Sequence, residues 1–281
     1  MNNLITAILS LAQSPRIKLK SIIRSHNRAN NMGEALEEYV KDLFADTLNI
    51  IDEAERNEKL NEVFSYLGNQ NNPPDAMLKN GDAIEIKKIE SAHAAIALNS
   101  SYPKSKLICG DPMISHGCKS CEKWDEKDML YVVGIVKDSN LVSLAFVYGD
   151  VYCASKECYE RVKESIKLGV NMISGVDFST TKELGRVNKV DPLGITYLRI
   201  RGMWGIENPF TVFNYIYHKN ENKEFNFMCL VPEQKFYSFP NYNDLILYSE
   251  RNKDIVISNV RIKNPDNPAQ LIDSKLITFS M

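Results

Sequence analysis

The amino-acid sequence predicts an α/β protein with a β-rich C-terminal half. Two observations lead to this prediction: amphipathic helical stretches alternate with short apolar runs up to residue 170, and strand-like runs dominate the last third. The chain has 281 residues, of which 44% are hydrophobic and 25% charged, as is typical of a soluble globular protein. Because no break in composition divides it, we expect a single domain over residues 1–281.

The first 33 residues are predicted to form a basic helical arm. Residues 3–25 fit one or two helices with an interruption near Ser14-Pro15, and no apolar run is long enough to span a membrane. No acidic residue balances the positive charge of this segment, so it is suited to tracking phosphates, although a basic helix face also serves solubility. Its basic residues are Arg16, Lys18, Lys20, Arg24 and Arg28.

Residues 33–49 contain the clearest helical pattern. Glu38 and Asp42 lie away from the apolar side, as expected of a solvated face, but Glu37 falls inside the apolar arc next to Phe44. A carboxylate at such a position needs a partner or a function, because burying an unpaired charge is unfavourable. The apolar arc consists of Leu36, Val40, Leu43, Phe44 and Thr47.

Residues 76–89 are predicted to form a β-hairpin that turns at Asn80-Gly81. Glu85 and Lys87 are two residues apart on the second strand, so their side chains share one face while two isoleucines face the core. A three-residue loop over residues 80–82 would place Asp75 opposite Lys87 and diagonal to Glu85. A two-residue loop would turn Asp75 to the other face.

These polar side chains suit metal-assisted chemistry on a phosphate. Carboxylate oxygens of Asp75 and Glu85, with a backbone carbonyl and water, match the preferences of Mg²⁺. Such an ion stabilises charge on a phosphate and activates water, while the ammonium of Lys87 can orient or deprotonate that water. Glu37 could add a further carboxylate. The alternative is a structural hairpin with solvated charges.

The remaining elements follow from periodicity and turn residues. Helices are predicted to end at residues 63–67 and to cover 91–98 and 156–168, the last with Tyr159, Val162 and Ile166 inward. Strands are predicted at residues 106–109, in a hairpin over 129–149, and at 195–202, 210–218, 225–231 and 254–262.

The hairpin carries a recognisable signature. Pro74-Asp75 with Glu85-Ile86-Lys87 resembles the PD-(D/E)xK nuclease motif. The resemblance extends to the NgoPII group of type II restriction endonucleases, which cut at GGCC. It implies a restriction-endonuclease-like core, a central mixed sheet flanked by helices. The stretches that carry it are residues 33–46, 67–91, 97–107, 121–134 and 199–209.

This resemblance implies specific roles and partners. Asp75 and Glu85 would be Mg²⁺ ligands, Lys87 the water-orienting residue, and Glu37 the helix carboxylate, with Glu34 as its rival. The expected activity is cleavage of double-stranded DNA that leaves 5′-phosphates, with Mn²⁺ able to substitute for Mg²⁺. A cytoplasmic homodimer paired with a cognate DNA methyltransferase is expected. Residues 34–170 would form the catalytic core and 171–281 the DNA-recognition and completion region.

Two segments are candidate DNA contacts, although the net charge of −2 does not by itself indicate a nucleic-acid binder. Arg199 and Arg201 alternate on a strand and project from one face, where arginine is suited to bidentate recognition of guanine. A solvated strand face is the alternative for this pair, and core packing is the alternative for Trp204. The other segment, which can equally be a polar loop, contains Asn99, Ser100, Ser101 and Lys104.

The cysteines offer a second possible metal site. Cys118 and Cys121 have CxxC spacing, and Cys153 and Cys158 follow beyond a hairpin, so the four could bind a structural zinc ion. Reduced structural thiols are the alternative. Two other functions therefore stay open: a structure-selective repair or recombination nuclease with the same core, and a non-catalytic DNA- or zinc-binding protein.

Overall fold

The computed structural model describes residues 2–19, 28–69 and 72–281. The predicted basic positions Lys20 and Arg24 lie outside the described residues. None of the described helices combines the length and apolarity that a bilayer-spanning segment requires. The helices are α1 (Leu4–Gln13), α2 (Arg28–Ala45), α3 (Glu53–Val63), α4 (His116–Ser120), α5 (Lys156–Asn171), α6 (Pro209–Val212), α7 (Glu233–Ser238) and α8 (Tyr242–Arg251).

The strands form one large mixed sheet and two small sheets. Their bounds are β1 (Phe64–Asn69), β2 (Asn72–Leu78), β3 (Ala83–Ile89), β4 (Ile96–Asn99), β5 (Lys106–Ile108), β6 (Glu126–Lys137), β7 (Asn140–Tyr148), β8 (Asp177–Phe178), β9 (Gly185–Asn188), β10 (Leu198–Ile200), β11 (Trp204–Ile206), β12 (Asn226–Pro232), β13 (Ile255–Lys263) and β14 (Leu271–Ser280).

The large sheet has the order β1-β2-β3-β6-β7-β12-β14-β13, with β5 paired to β6. The pairs β3–β6 and β7–β12 are parallel, and the other neighbours along this order are antiparallel. Its central strands β6, β7 and β12 consist mostly of buried apolar residues, as expected of strands covered on both faces. The predicted mixed sheet flanked by helices is confirmed.

The N-terminal helices pack together, and α2 lies against β3 of this sheet. α1 packs against α2 and α8, and its residues Leu4, Ile5, Ile8 and Leu11 are fully buried. This part of the predicted arm is thus a core helix without basic residues, because its apolar positions recur at helical spacing. Arg16 and Lys18 follow it in the described chain.

The predicted apolar arc of α2 is buried throughout. The helix ends at Ala45, because Asp46 adopts a left-handed conformation with φ of 55°. The prediction that Glu38 and Asp42 form a solvated face is wrong. Arg56 of α3 binds Glu38 at 2.8 Å and Asp42 at 2.6 Å, so this face is partly covered by a neighbouring helix.

Several local predictions fail at short apolar runs, where helix and strand periods are hard to separate. Residues 64–69 form β1 and pair with β2 instead of closing a helix, and residues 91–98 form a turn that leads into β4. The predicted strand at residues 210–218 is instead α6 followed by turns. The helix α5 is confirmed, but Val162 and Ile166 are 41% and 47% exposed, so its predicted inward face is wrong there.

Candidate functional site

The site is built on the hairpin of β2 and β3. Ala76 lies opposite Ile84 and Met77 opposite Ala83, and the N–H of Leu78 donates to the carbonyl of Asp82 at 2.9 Å. The loop therefore has an odd length, residues 79–81, with Asn80 in the left-handed region at φ of 52°. It lies one residue earlier than the three-residue alternative over residues 80–82, and the same register extended along the strands places Asp75 opposite Glu85 instead of Lys87.

The structure brings three of the predicted residues into contact. Lys87 Nζ lies 2.6 Å from Glu85 Oε1 and 3.9 Å from Asp75 Oδ2. The N–H of Ile86 donates to Asp75 Oδ2 at 2.6 Å, which fixes the direction of that carboxylate. Only 13% of each carboxylate side chain is exposed, so their charges are poorly screened by solvent.

The charge balance of the site is negative. Burial, with the nearby charge of Asp75, raises the pKa of Glu85 to about 7, although Lys87 and Lys104 lower it. Burial and Asp75 likewise raise the pKa of Glu37, on the adjacent α2, to about 7. Glu37 is therefore electrostatically coupled to the predicted site, as expected for the helix carboxylate.

Lys87 is the cation of this group. Burial lowers its pKa, but the charges of Glu85 and Asp75 outweigh burial, and the pKa lies above the ordinary lysine value. The side chain is therefore protonated at neutral pH in the free protein. In this state it is suited to orienting water and stabilising negative charge.

A buried lysine binds the backbone of the hairpin loop. Lys127 Nζ donates to the carbonyls of Leu78 and Gly81 at 3.0 and 2.8 Å. It also pairs with Glu122, which accepts the N–H of Asn80 at 3.0 Å. These contacts fix the loop and hence the register that aligns the carboxylates. Sequence reasoning missed both residues, because their partners are backbone groups far away along the chain.

A cavity of about 410 Å³ opens beside the carboxylates. Lys104 lies in its wall, paired with Asp111, and its backbone N–H donates to the hydroxyl of Tyr131 at 2.7 Å. The cavity brings the predicted acidic site and the predicted polar loop together. Its lining includes Asp75, Glu85, Lys87, Asn99, Ser100, Ser101, Lys104 and Arg201.

Of the predicted arginine pair, Arg201 lines this cavity. Arg199 and Arg201 both bind Glu183, a partner that the sequence did not indicate because it precedes them by a loop and a strand. Trp204 makes edge-to-face contacts with Tyr102 and Tyr159, with ring centroids 6.0 and 5.7 Å apart. Trp204 is half-buried in this aromatic cluster and also lines a neighbouring cavity.

The cysteines are distributed over separate parts of the fold. Cys118 is buried against the sulfur of Met77 at 3.4 Å, whereas Cys153 is buried near Tyr131. Cys121 is half-buried and Cys158 is exposed. Within the described part of the chain, no three His, Cys, Asp or Glu side chains form a ready-made metal centre. The four predicted zinc ligands are thus not brought together.

The fold and the site together define a class of protein. A mixed sheet flanked by helices, with an acidic hairpin and a lysine beside a cavity, is the architecture of restriction-endonuclease-like nucleases. The family model of the NgoPII restriction endonuclease matches residues 2–263. The type II restriction enzyme NgoPII of Neisseria gonorrhoeae is 55% identical over 280 residues, which cover 99% of this chain and 100% of that protein.

This chain belongs to the NgoPII restriction endonuclease family, and the resemblance found in its sequence is confirmed. It is an enzyme of the type II restriction class. No solved structure matches the chain. The assignment of individual side chains to roles therefore rests on the geometry of the site.

Proposed function

We propose that this protein is a Mg²⁺-dependent endonuclease that cuts double-stranded DNA at a short GC-rich palindrome such as GGCC and leaves 5′-phosphates. The observation that carries the proposal is the convergence of Asp75, Glu85 and Lys87 at one end of a cavity. Two carboxylates and an ammonium at this separation match the needs of phosphodiester hydrolysis, which requires both a cation site and charge stabilisation.

The donor set fits Mg²⁺. Two carboxylates, Asp75 and Glu85, converge with Lys87 as their close cation, and burial together with the charge of Asp75 raises the pKa of Glu85. Mg²⁺ is commonly held by one or two carboxylates, with water and substrate phosphate as its other ligands. Asp75 and Glu85 would hold the ion, which would supply charge stabilisation on the phosphate and a more acidic water. Mn²⁺ would substitute because it accepts the same oxygen ligands.

The side chains of this protein have separate tasks in the proposed reaction. Lys87, protonated and held by Glu85, orients the attacking water and stabilises charge that develops on the phosphate. Water attacks phosphorus in line with the leaving 3′-oxygen, so one P–O bond forms as the other breaks. Glu37, with a pKa of about 7, can accept a proton close to neutral pH.

Digestion of an unmethylated plasmid with and without Mg²⁺ tests the proposal. Discrete fragments with 5′-phosphate ends, mapped by sequencing, are expected with Mg²⁺ or Mn²⁺, and no cleavage is expected with EDTA. The variant Lys87→Ala should bind the target but cut it at least about 10²-fold more slowly than the wild type. Cleavage by this variant within a factor of ten of wild type would contradict the site assignment, and cleavage restricted to branched junctions would favour a structure-selective nuclease.

The assembly and cellular context are also part of the proposal. A palindromic target presents two equivalent scissile bonds, which a two-fold symmetric homodimer would meet with two identical sites. Sedimentation with and without a target duplex tests this state, and a monomer on the duplex would contradict it. We further propose a cytoplasmic enzyme whose cognate methyltransferase protects host DNA.

A further inference from the structure

A second cavity, of about 550 Å³, continues from the candidate active site along the small sheet of β8, β9 and β10. Ser100, Met113 and Arg201 line both cavities, so the two form one cleft. The far end of this cleft is strongly basic. Its charged lining residues are Lys163, Lys182, Arg186, Arg199 and Arg201, together with Glu183 as the acid.

Glu183 binds the two arginines in a particular way. Arg199 donates its Nε–H to Glu183 Oε2 at 2.9 Å, and its Nη2 donates to Oε1. Arg201 donates its Nε–H to the same Oε1 at 2.7 Å. The carboxylate therefore occupies the Nε side of both guanidinium groups.

A guanidinium has five N–H donors in a rigid plane, so a partner on the Nε side leaves donors on the Nη side. The side chains of Arg199 and Arg201 remain 47% and 55% exposed, whereas that of Glu183 is 17% exposed. The donors that remain are therefore accessible to a ligand. Two adjacent N–H groups at this edge match the O6 and N7 acceptors of guanine.

We propose that Glu183 is a specificity-determining positioning residue: it holds Arg199 and Arg201 by their Nε edges so that their Nη edges read guanine in this cleft. The inference rests on the proposed DNA cleavage and assigns the base-reading end of the same site. An arginine side chain without such a partner could contact DNA phosphates whatever the base sequence, and would not contribute to specificity. The carboxylate restricts both arginines to one orientation and leaves the three residues with a net positive charge.

The other cations of the cleft suit the DNA backbone. Arg186 lies over the ring of Tyr197, with the guanidinium carbon 4.5 Å from the ring centroid, and Lys163 and Lys182 line the same cavity. None of these three side chains shares the carboxylate of Glu183. Contacts from them would position the duplex without reading its sequence.

The test compares binding of two duplexes that differ in one atom of the target. One duplex contains the sequence mapped from the cut ends, and the other carries 7-deazaguanine, which lacks the N7 acceptor, at one guanine at a time. Affinities are measured by fluorescence anisotropy without Mg²⁺. At one or more positions the wild-type protein should prefer guanine by about 5- to 50-fold, the range expected for part of a bidentate contact.

The variant Glu183→Ala should reduce this preference to less than about 2-fold and increase affinity for non-target DNA, because a negative charge leaves a basic cleft. Glu183→Gln, which keeps one acceptor, should retain part of the preference. Asp177→Asn is the matched control, since Asp177 is an exposed carboxylate of the same small sheet, paired loosely with Lys189 at 3.9 Å. It should keep the wild-type ratio.

A double-mutant cycle distinguishes positioning from a general loss of structure. Arg199→Ala should remove the preference for guanine over 7-deazaguanine at one position of the target. Adding Glu183→Ala to this variant should not change the preference at that position further. The inference would be overturned if Glu183→Ala, or the double variant Arg199→Ala and Arg201→Ala, kept the wild-type ratio of affinities for the guanine and 7-deazaguanine duplexes. Absence of cleavage by the wild-type protein on any DNA would instead refute the proposed function.

Discussion

Replacing Lys87 with methionine removes the only cation that contacts both Glu85 and Asp75 among the described residues, while it keeps most of the aliphatic stem. We expect cleavage to fall by about 10²- to 10³-fold, the loss typical of removing one group that stabilises transition-state charge. The same change should also alter how stability depends on pH, because Lys87 lowers the pKa of Glu85.

The sign of the stability effect follows from proton binding. Glu85 has an ordinary pKa of 4.5 in the unfolded chain and a pKa of about 7 in the folded protein. Between these values the folded state binds more protons than the unfolded state, so the free energy of unfolding decreases as pH rises. For Glu85 in the wild-type protein this decrease ends near pH 7.

Without Lys87 the pKa of Glu85 lies above its wild-type value, and the decrease continues to higher pH. One proton corresponds to about 1.4 kcal/mol per pH unit. The difference in unfolding free energy between wild type and Lys87→Met should therefore grow by up to about 1.4 kcal/mol between pH 7 and pH 8. Below pH 6 this contribution should be small, because the carboxyl is protonated in both folded proteins.

Urea unfolding of the metal-free proteins at pH 6, 7 and 8 measures this effect, and single-turnover cleavage with Mg²⁺ measures the loss of activity. Lys88→Met is the matched control, since Lys88 is the next residue and pairs at 2.8 Å with Glu90, which is largely exposed. It should give a profile parallel to that of the wild type. A parallel profile for Lys87→Met, or cleavage within a factor of ten of wild type, would refute the reasoning.

Three further predictions follow from the same contacts. Glu37→Gln should slow cleavage yet raise the unfolding free energy of the metal-free protein at pH 8 by about 1 kcal/mol, after allowance for solvent screening, because it removes a carboxylate whose pKa is about 7. Urea unfolding and single-turnover cleavage measure the two effects. A lower stability of the variant at pH 8 would contradict the prediction. The rise in melting temperature with Mg²⁺ should be larger at pH 8 than at pH 6, because protonation of Glu85 at pH 6 weakens the apparent affinity for Mg²⁺ about tenfold. Equal rises at the two pH values, or a wild-type rise in Asp75→Asn, would be inconsistent with the proposed ligands. Lys127→Met should destabilise the fold by about 3–5 kcal/mol, because Glu122 loses its partner in a mostly buried position. A urea unfolding midpoint equal to that of wild type would show that the loop does not depend on this lysine.

The sequence predicted which side chains of the hairpin converge better than it predicted the short elements around them. Glu85 and Lys87 share a face because strand side chains alternate, and this holds in any register. The position of the loop depended on which residue adopted the left-handed conformation, and both Asn80 and Gly81 can do so. The sequence left a two-residue and a three-residue loop open, and in the three-residue alternative the residue opposite Asp75 was displaced by two positions.

Contacts between distant segments could not be predicted from local patterns. Lys127 binds backbone carbonyls of the hairpin loop, and no periodicity marks such a contact. The alternation that identified Arg199 and Arg201 gave their shared face, but the carboxylate of Glu183 reaches them through the antiparallel pairing of β9 with β10. The short runs at residues 91–98 and 210–218 were misassigned, because tertiary contacts decide between a helix, a turn and a strand in so few residues.

The charge balance is incomplete at both ends of the cleft, with excess negative charge at one end and excess positive charge at the other. At the hairpin, Glu37, Asp75 and Glu85 lie near the cation Lys87, and burial together with the charge of Asp75 raises the pKa values of Glu37 and Glu85. At the other end, Glu183 is shared by two arginines, so positive charge remains. A divalent cation would complete the first balance and a polyanion the second. A DNA duplex with Mg²⁺ supplies both at once, so metal binding and DNA binding should favour each other through the phosphate that lies between them. Measuring the affinity for DNA with and without a bound divalent ion in Lys87→Met, for which slow cleavage is expected, would reveal this coupling, and equal affinities would contradict it.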